Sequence, residues 1–418
     1  MIAPEGEHQL MRGDPQRMMD MSACIVTCPI CAATSLLPLF KSLAIPKYLL
    51  ECHRSRTVAL HAQRGELDFQ FCLTCQFAFN AAFDAAGMDY AVDYEASRSS
   101  SAHFTNYLKQ VAQDVVRICE MQDKQVVEVG CGDGQFLTML RSLVPFTGYG
   151  VDPSTAADRI HPACADLQFI RGTYRHHAFP RSPDILLLRH VLEHQSDPKA
   201  FLQAILPPSP TAVTVYIEVP CWEWIVEHWQ LQAFSYEHCT YFSRVALQRM
   251  LQGEGIASLK MTYGFADEYL QYYGQRQAVT RFDELARQPS LMQKTVEFAR
   301  RAPQIIAGVR QELTKYPDAV VWGAAGKGTC FLNIVGLTYE QLPYVVDSNP
   351  RRWNTFIPCT GQAVIAPKQL QQIRPSVAFL SNPSYAREIR MQLETLGLEG
   401  TKLVAIDELI ARVAQQLH

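Results

Sequence analysis

Short apolar runs of the kind that fill buried strands recur along this 418-residue chain, each followed by a polar or glycine-rich turn and then by apolar positions at helical spacing. Residues 126–129, 148–152, 167–170, 184–188 and 213–219 form one such series. Between them lie helical patterns. The clearest patterned helix comes just before the series, at 103–121, where Phe104, Leu108, Val111, Val115 and Ile118 share one face. Asp197-Pro198 reads as a turn opening a helix, and Ser243 as the N-cap of a helix over 244–252. Strand and helix alternating in this way predict a doubly wound α/β sheet. A second array begins with strands at 319–322 and 344–346. The predicted organisation is a mobile tail over 1–23, a small β-rich lobe over 24–85, an α/β core over 86–268, a polar helical bridge over 269–315 and a second α/β domain over 316–418.

Composition narrows the function classes. Hydrophobic residues make up 48% of the chain and the formal net charge is −3, which suits a globular protein rather than a nucleic-acid-binding or membrane-bound surface. No apolar run reaches the ~20 residues of a spanning helix, and the N-terminal segment has no signal-peptide apolar core, so a cytoplasmic protein is expected. Its 13 cysteines are odd in number and scattered, as in a reducing compartment.

Four of them are different. Cys28-Pro-Ile-Cys31 and Cys72-Leu-Thr-Cys75 are paired C-x2-C knuckles, each directing two sulfurs at one point, and the doubled motif predicts a structural zinc site that folds the N-terminal lobe.

The first strand of the core runs into E-V-G-C-G-D-G, with Glu128, Gly130, Gly132, Asp133 and Gly134, and the second ends at Asp152-Pro153. An acid at that strand tip, about 20 residues beyond the glycines, is placed to hold ribose hydroxyls. Glu128 would oppose a pyrophosphate but suits a cationic ligand. The loop resembles the first motif of class I S-adenosylmethionine (SAM) methyltransferases. Ligands of doubly wound sheets bind beyond the carboxyl ends of strands, which adds Gly172, Thr173, Arg189, His190 and the stretch 218–221 as candidate lining. His190-Val-Leu-Glu-His194 comes close to a metal-binding spacing, yet no third ligand is evident in the sequence, and His194 and Glu193 also suit capping of the next helix.

The sharpest cluster is F-S-Y-E-H-C-T-Y-F-S over 234–243, which sets Tyr236, Glu237 and His238 side by side. Titratable groups this dense suggest proton transfer, and a hydrogen-bonded loop with a structural histidine is the alternative. Gly323, Gly326 and Lys327 make a second glycine loop that does not fit the Walker pattern, followed by Asp347 at the next strand tip and by Asn349 and Asn382 in turns. This reads as a nucleotide-holding domain or as a Rossmann-like repeat that only packs.

In this order, the paired knuckles, E-V-G-C-G-D-G-Q-F, H-V-L-E-H, Y-E-H-C-T-Y-F-S and the C-terminal V-V-W-G-A-A-G-K-G, V-V-D-S-N-P and L-S-N-P-S-Y resemble the SAM-dependent C-methyltransferases of nucleotide-activated deoxysugars over about residues 25–415. The resemblance implies a zinc-binding lobe, a class I methyltransferase core and a C-terminal Rossmann-like domain that holds the sugar nucleotide's diphosphate. It implies that His238 removes a proton beside a ketone, that Tyr236 or His194 hydrogen-bonds the enolate, and that Glu237 orients the loop. Tyr90, Tyr94 and Ser101 are candidate lid positions. The chain departs from the family at Ser235, where a tyrosine is expected, and at Cys359, where glycine is usual, and either change could reshape the acceptor pocket. A non-sugar metabolite as acceptor, a silent SAM-binding partner subunit and an NAD-dependent sugar reductase are the competing readings. Oligomeric state is not legible.

Overall fold

The computed structural model describes residues 26–88, 102–154, 157, 160, 164–174, 179, 181–207, 212–277 and 288–417. The tail and the three candidate lid positions Tyr90, Tyr94 and Ser101 lie outside the described residues. The chain opens with β1 (Leu36–Pro46), α1 (Arg56–Leu60), β2 (Arg64–Cys72), β3 (Phe77–Asn80) and α2 (Ala102–Ile118). The core continues through β4 (Gln125–Val129), α3 (Gln135–Leu143), β5 (Thr147–Asp152), β6 (Leu167–Arg171), β7 (Ile185–Arg189), α4 (Pro198–Ile205) and β8 (Thr214–Pro220). It closes with α5 (Trp222–Glu227), β9 (Thr240–Phe242), α6 (Arg244–Gly253), β10 (Ile256–Gly264) and β11 (Tyr269–Arg276). After α7 (Pro289–Leu313) come β12 (Val320–Trp322), α8 (Gly326–Val335), β13 (Tyr344–Val346), β14 (Thr355–Phe356), β15 (Ala363–Ile365), α9 (Leu370–Ile373), β16 (Val377–Leu380), α10 (Ala386–Thr395), β17 (Lys402–Ala405) and α11 (Ile406–Gln416).

Seven strands form the central sheet in the order β10-β11-β8-β7-β4-β5-β6. The strands from β4 to β8 run parallel, and β11 inserts antiparallel beside β8. This is the class I methyltransferase arrangement. β4 and β7 are almost wholly buried because helices cover both faces of the sheet. Helix starts follow the expected chemistry, with Asp197 accepting from Ala200 N and Ser243 Oγ from Ala246 N. The last domain is a six-stranded sheet, β14-β15-β13-β12-β16-β17.

One boundary and one element differ from expectation. Residues 269–276, read as the start of a polar helical bridge, are strand β11, and the core sheet therefore extends past 268. The run is Y-L-Q-Y-Y-G-Q-R, rich in aromatic strand formers, and its polar Gln271 is buried against a charged network rather than facing water. Helix begins only at α7, whose inner face packs among both the N-terminal lobe and the last domain. The second difference is β9. Its three residues leave the core sheet's surroundings and complete the N-terminal sheet, β1-β2-β3-β9, with Phe77, Ala78 and Phe79 opposite Phe242, Tyr241 and Thr240.

Candidate active site

The glycine loop joins β4 to α3 with Gly130, Gly132 and Gly134 all at positive φ (74°, 54° and 70°). Their needs differ. A Cβ at Gly130 would meet Val191 and one at Gly134 would meet Phe169, whereas Gly132 faces open space and is held to glycine by its backbone alone. Asp152, at the end of β5, accepts from Gly132 N at 2.8 Å and from Ser154 N at 2.8 Å, which ties loop to strand tip. Asp133 caps the start of α3 through Gln135 N. Pro153 follows Asp152 on the same edge, and Gly172 and Thr173 follow β6 beside it.

Glu128 is almost fully buried under this loop, with Oε2 lacking a hydrogen-bond partner among the described residues. Burial pushes its carboxyl up to about 8, against the opposing pull of the Arg189 guanidinium. A buried acid with an unused oxygen beside an open glycine loop fits a cationic ligand such as a sulfonium carrying an ammonium group.

Arg189 and His190 end β7 and meet Glu218, on β8. Glu218 is fully buried and accepts from Arg189 Nη2 at 2.8 Å, Tyr107 Oη at 2.6 Å, Tyr216 Oη at 2.8 Å and Gln271 Nε2 at 3.0 Å, with His190 Nε2 3.2 Å away. Burial alone would raise its carboxyl, but Arg189 and the hydrogen bonds outweigh that and hold it well below the usual carboxylate range. Arg189 also stacks on Phe136, its guanidinium 4.3 Å from the ring centroid. His190 adopts a left-handed backbone (φ 55°) that turns its ring between Glu218 and Glu193, whose Oε1 lies 3.1 Å from Nδ1. Burial disfavours its charged form, yet the two carboxylates prevail and raise it. Glu218 was visible only as an acid at a strand end. Tyr107 and Gln271, which complete its shell, come from α2 and β11 and carry no local signal.

Beyond Glu193 lies His194, whose ring stands perpendicular to that of His238 with centroids 4.9 Å apart. One carboxylate oxygen of Glu193 and one ring nitrogen from each histidine lie within 4.8 Å of one another. The third group that the H-V-L-E-H run lacked in sequence is thus supplied 44 positions away in the chain, by His238. Thr240 Oγ1 donates to Leu192 O at 3.0 Å and holds the two loops together. Ser235 Oγ accepts from His238 N at 3.0 Å.

Tyr236 and Glu237 face away from this pair. The Tyr236 hydroxyl accepts from Asp84 N at 2.9 Å and its ring lies where a Cβ at Gly65 would fall, so the residue expected at an enolate oxygen is packed into the N-terminal lobe. Glu237 Oε2 accepts from Leu49 N at 3.0 Å.

In the last domain, Gly323, Asp347 and Asn382 gather beyond the carboxyl ends of the adjacent strands β13, β12 and β16. Asp347 accepts from Ala324 N and Asn349 N, both at 2.8 Å, repeating the loop-to-acid bond of the core sheet. Asn349 and Asn382 cap short turns through Arg351 N and Ser384 N. A Cβ at Gly323 would strike Ser381 Oγ, so this glycine serves close packing, whereas Gly326 is open. Lys327 turns toward the core, 2.8 Å from Glu268 and 5.0 Å from the Trp224 ring centroid. Cys359 is buried against α1. It holds a left-handed backbone (φ 67°), which is why glycine suits that position, and its amide donates to Ala59 O against α1.

The four knuckle cysteines converge, with Cys28 and Cys75 sulfurs 3.5 Å apart, Cys31 and Cys72 sulfurs 3.5 Å apart, and all four within 4.8 Å of one another. Zinc–thiolate bonds of about 2.3 Å would set neighbouring sulfurs about 3.8 Å apart, so the cluster fits a tetrahedral ion. Thiolates this close would repel one another, and a bound cation would relieve that repulsion.

No curated protein sequence matches the chain. Among solved structures it is similar to the putative methyltransferase in complex with the Haloferax volcanii Trm112 methyltransferase activator (16% identity, 42% of this chain and 98% of that one, TM-score 0.33). It is also similar to a SAM-dependent methyltransferase from Aquifex aeolicus (13% identity, 41% and 98%, TM-score 0.31) and to magnesium protoporphyrin IX methyltransferase from Synechocystis PCC 6803 with bound SAH (13% identity, 41% and 82%, TM-score 0.32). Family profiles match more of the sequence: a methyltransferase domain over residues 102–259 and a C-methyltransferase C-terminal domain over residues 275–406. With the strand order of the central sheet and the glycine loop beside it, these two matches show that the chain belongs to the SAM-dependent C-methyltransferases.

Proposed function

We propose that this protein methylates a carbon beside the ketone of a nucleotide-linked 4-keto deoxysugar, with His238 as the base. The observation that carries the reading is the His194–His238 pair, set beyond the carboxyl end of β7 on the same edge as the glycine loop. SAM supplies an electrophilic methyl group when bound. The chain's part is to hold that group and to make a nucleophile beside it. Glu128, the loop of Gly130, Gly132 and Gly134, and Asp152 bind the cation and its ribose, while Asp133, Pro153, Gly172, Thr173, Arg189 and His190 border them. His238 takes the proton from carbon, leaving an enolate whose oxygen is hydrogen-bonded by His194, since Tyr236 is engaged elsewhere. A placed base contributes about 10²–10⁴-fold, and alignment of the reactants about 7–11 kcal/mol. Glu237 fixes the loop through Leu49. Ser235, in place of the expected tyrosine, holds the His238 amide and marks where acceptor choice departs from relatives. The diphosphate lies against Gly326, Lys327 and the strand ends carrying Gly323, Asp347, Asn349 and Asn382. The knuckle cysteines hold a structural zinc ion, and the protein works in the cytoplasm, where its thiols stay reduced.

Three outcomes test this. In D2O without SAM, the purified protein is expected to exchange the hydrogen beside the ketone of a nucleotide-linked 4-keto deoxysugar, as read by mass spectrometry, and His238→Ala to lose that exchange while still binding SAM. Exchange that survives in His238→Ala would remove His238 from the step.

Glu128 gives a pH test. Its folded value of about 8 exceeds the ordinary carboxyl value of 4.5, so the acid is mostly neutral at pH 7 and its burial costs stability progressively as pH rises from 4.5 to about 8. A bound cation favours the ionised form. Calorimetric titration of SAM at pH 7 in buffers of different ionisation enthalpy is therefore expected to show release of up to about one proton, absent in Glu128→Gln and fading above pH 9. Proton uptake, or unchanged release in Glu128→Gln, would contradict this.

For the metal, elemental analysis of protein purified without chelator is expected to find one zinc per chain, lost in Cys72→Ser together with a lower melting temperature. A metal-free protein that melts like the variant would refute the zinc assignment.

A further inference from the structure

Glu193 is the buried group that the proposed reaction leaves unused. It lies in the turn after β7, fully buried, with Oε1 held at 3.1 Å by His190 Nδ1 and Oε2 without a hydrogen-bond partner among the described residues. The rings it faces on the other side are His194 and His238, whose nearest nitrogens lie within 4.8 Å of its carboxylate. Leaving a carboxylate oxygen unsatisfied in the interior is unfavourable unless positive charge arrives next to it. Proton transfer to His238 creates such a charge.

We propose that Glu193 is the positioning residue of the proton-transfer step, steadying the imidazolium formed on His238 while His190 and Glu218 hold its carboxylate in place. The proposal rests on the reading of His238 as the base. Neutral His238 offers a ring lone pair to the hydrogen beside the ketone, the C–H electron pair passes into the enolate, and the proton stays on the ring. Glu193 remains ionised throughout and accepts no proton. The enolate carbon then takes the methyl group, the carbon–sulfur bond leaves its electron pair on sulfur as a neutral thioether, and the proton departs from His238 to solvent.

The surroundings favour this division of labour. Glu193 is held ionised against the effect of burial by the His190 hydrogen bond and by the nearby His194 and His238 rings. His190 sits between Glu193 and Glu218 and offsets part of their charge, so the field at His238 is that of one carboxylate rather than two. From the other elements packed here, Cys239 of His238's own loop and Tyr241 of β9 lie near the same group, and burial raises the Cys239 thiol and the Tyr241 phenol so that both are neutral. Glu237 is tied to Leu49, with Cys330 of α8 behind it, also raised by burial. Glu193 is therefore the carboxylate best placed to act on His238, and the left-handed backbone of His190 is what brings the supporting imidazole to it.

The test uses the full-length protein and the same deuterium exchange, followed as a function of pH in the wild type, Glu193→Gln and Glu193→Asp, with SAM binding as the control for folding. Glu193→Gln is expected to slow exchange about tenfold or more and to move the acid limb about one unit toward lower pH, because the ring loses the charge that favours its protonation. Glu193→Asp is expected to keep the limb near its wild-type position. A Glu193→Gln protein that binds SAM and exchanges slowly with an unmoved limb would overturn the proposal and leave Glu193 a packing residue. If Glu193→Gln does not fold, the wild type still decides. Nitrogen-15 NMR of the histidines, with the His238 signal assigned by its loss in His238→Ala, is expected to give a pKa above the ordinary 6.5, and a value below 6.5 overturns the proposal. A second metal ion per chain, found by elemental analysis and lost in His238→Ala while the first is kept, would also overturn it, by making Glu193, His194 and His238 metal ligands. Exchange that persists in His238→Ala strikes the underlying reading instead, so the two failures are separable.

Discussion

The structure depends on a short strand pairing between distant parts of the chain. β9, three residues long, leaves the core to become the edge of the N-terminal sheet against β3, and the loop before it is fastened on both sides. Glu237 accepts from Leu49 and Tyr236 from Asp84 on the lobe side, while Thr240 donates to Leu192 on the core side. His238 is thereby set against His194 by contacts that none of its sequence neighbours could make alone. The knuckle cysteines belong to the same sheet. They bring the chain before β1 against the end of β2 and the turn after it, in the sheet whose last strand follows the histidine loop.

Charge is the second constraint. The site buries Glu128, Glu193 and Glu218 within a few strands of one another, with Arg189 and His190 as the cations between them. Such a cluster is tolerable only where each carboxylate has donors or awaits a positive ligand. Glu218 accepts from four donors and acts as the anchor. Glu128 and Glu193 each keep one oxygen without a hydrogen-bond partner among the described residues, Glu128 under the glycine loop and Glu193 beside the His194–His238 pair. In the proposed reaction this arrangement would separate the work of binding from the work of proton transfer.

What could be read in the sequence was local. The glycine loop, the acids at the tips of β5 and β13 and the paired knuckles each depend on residues a few positions apart, and each took its expected place on an element. Non-local pairings escaped. β11 looked like polar bridge because Gln271, whose partner Glu218 lies 53 residues earlier, gives no hint of being buried. Tyr236 looked catalytic because it adjoins His238, but a loop residue's neighbours in space are set by its backbone turn, which sends it to Asp84 and Gly65. Cys359 seemed a pocket change and is a left-handed turn residue against α1. The third member of the Glu193–His194–His238 group was hidden for the same reason, since the motif's spacing says nothing about a residue 44 positions on.

The most direct measurement is the position of the transferred methyl group. The protein would be incubated with methyl-13C SAM and a nucleotide-linked 4-keto deoxysugar, and the product examined by NMR. The predicted result is a labelled methyl carbon bonded to the sugar carbon beside the ketone. A label found on oxygen or nitrogen, or transferred only to an acceptor with no enolisable carbon, would contradict it.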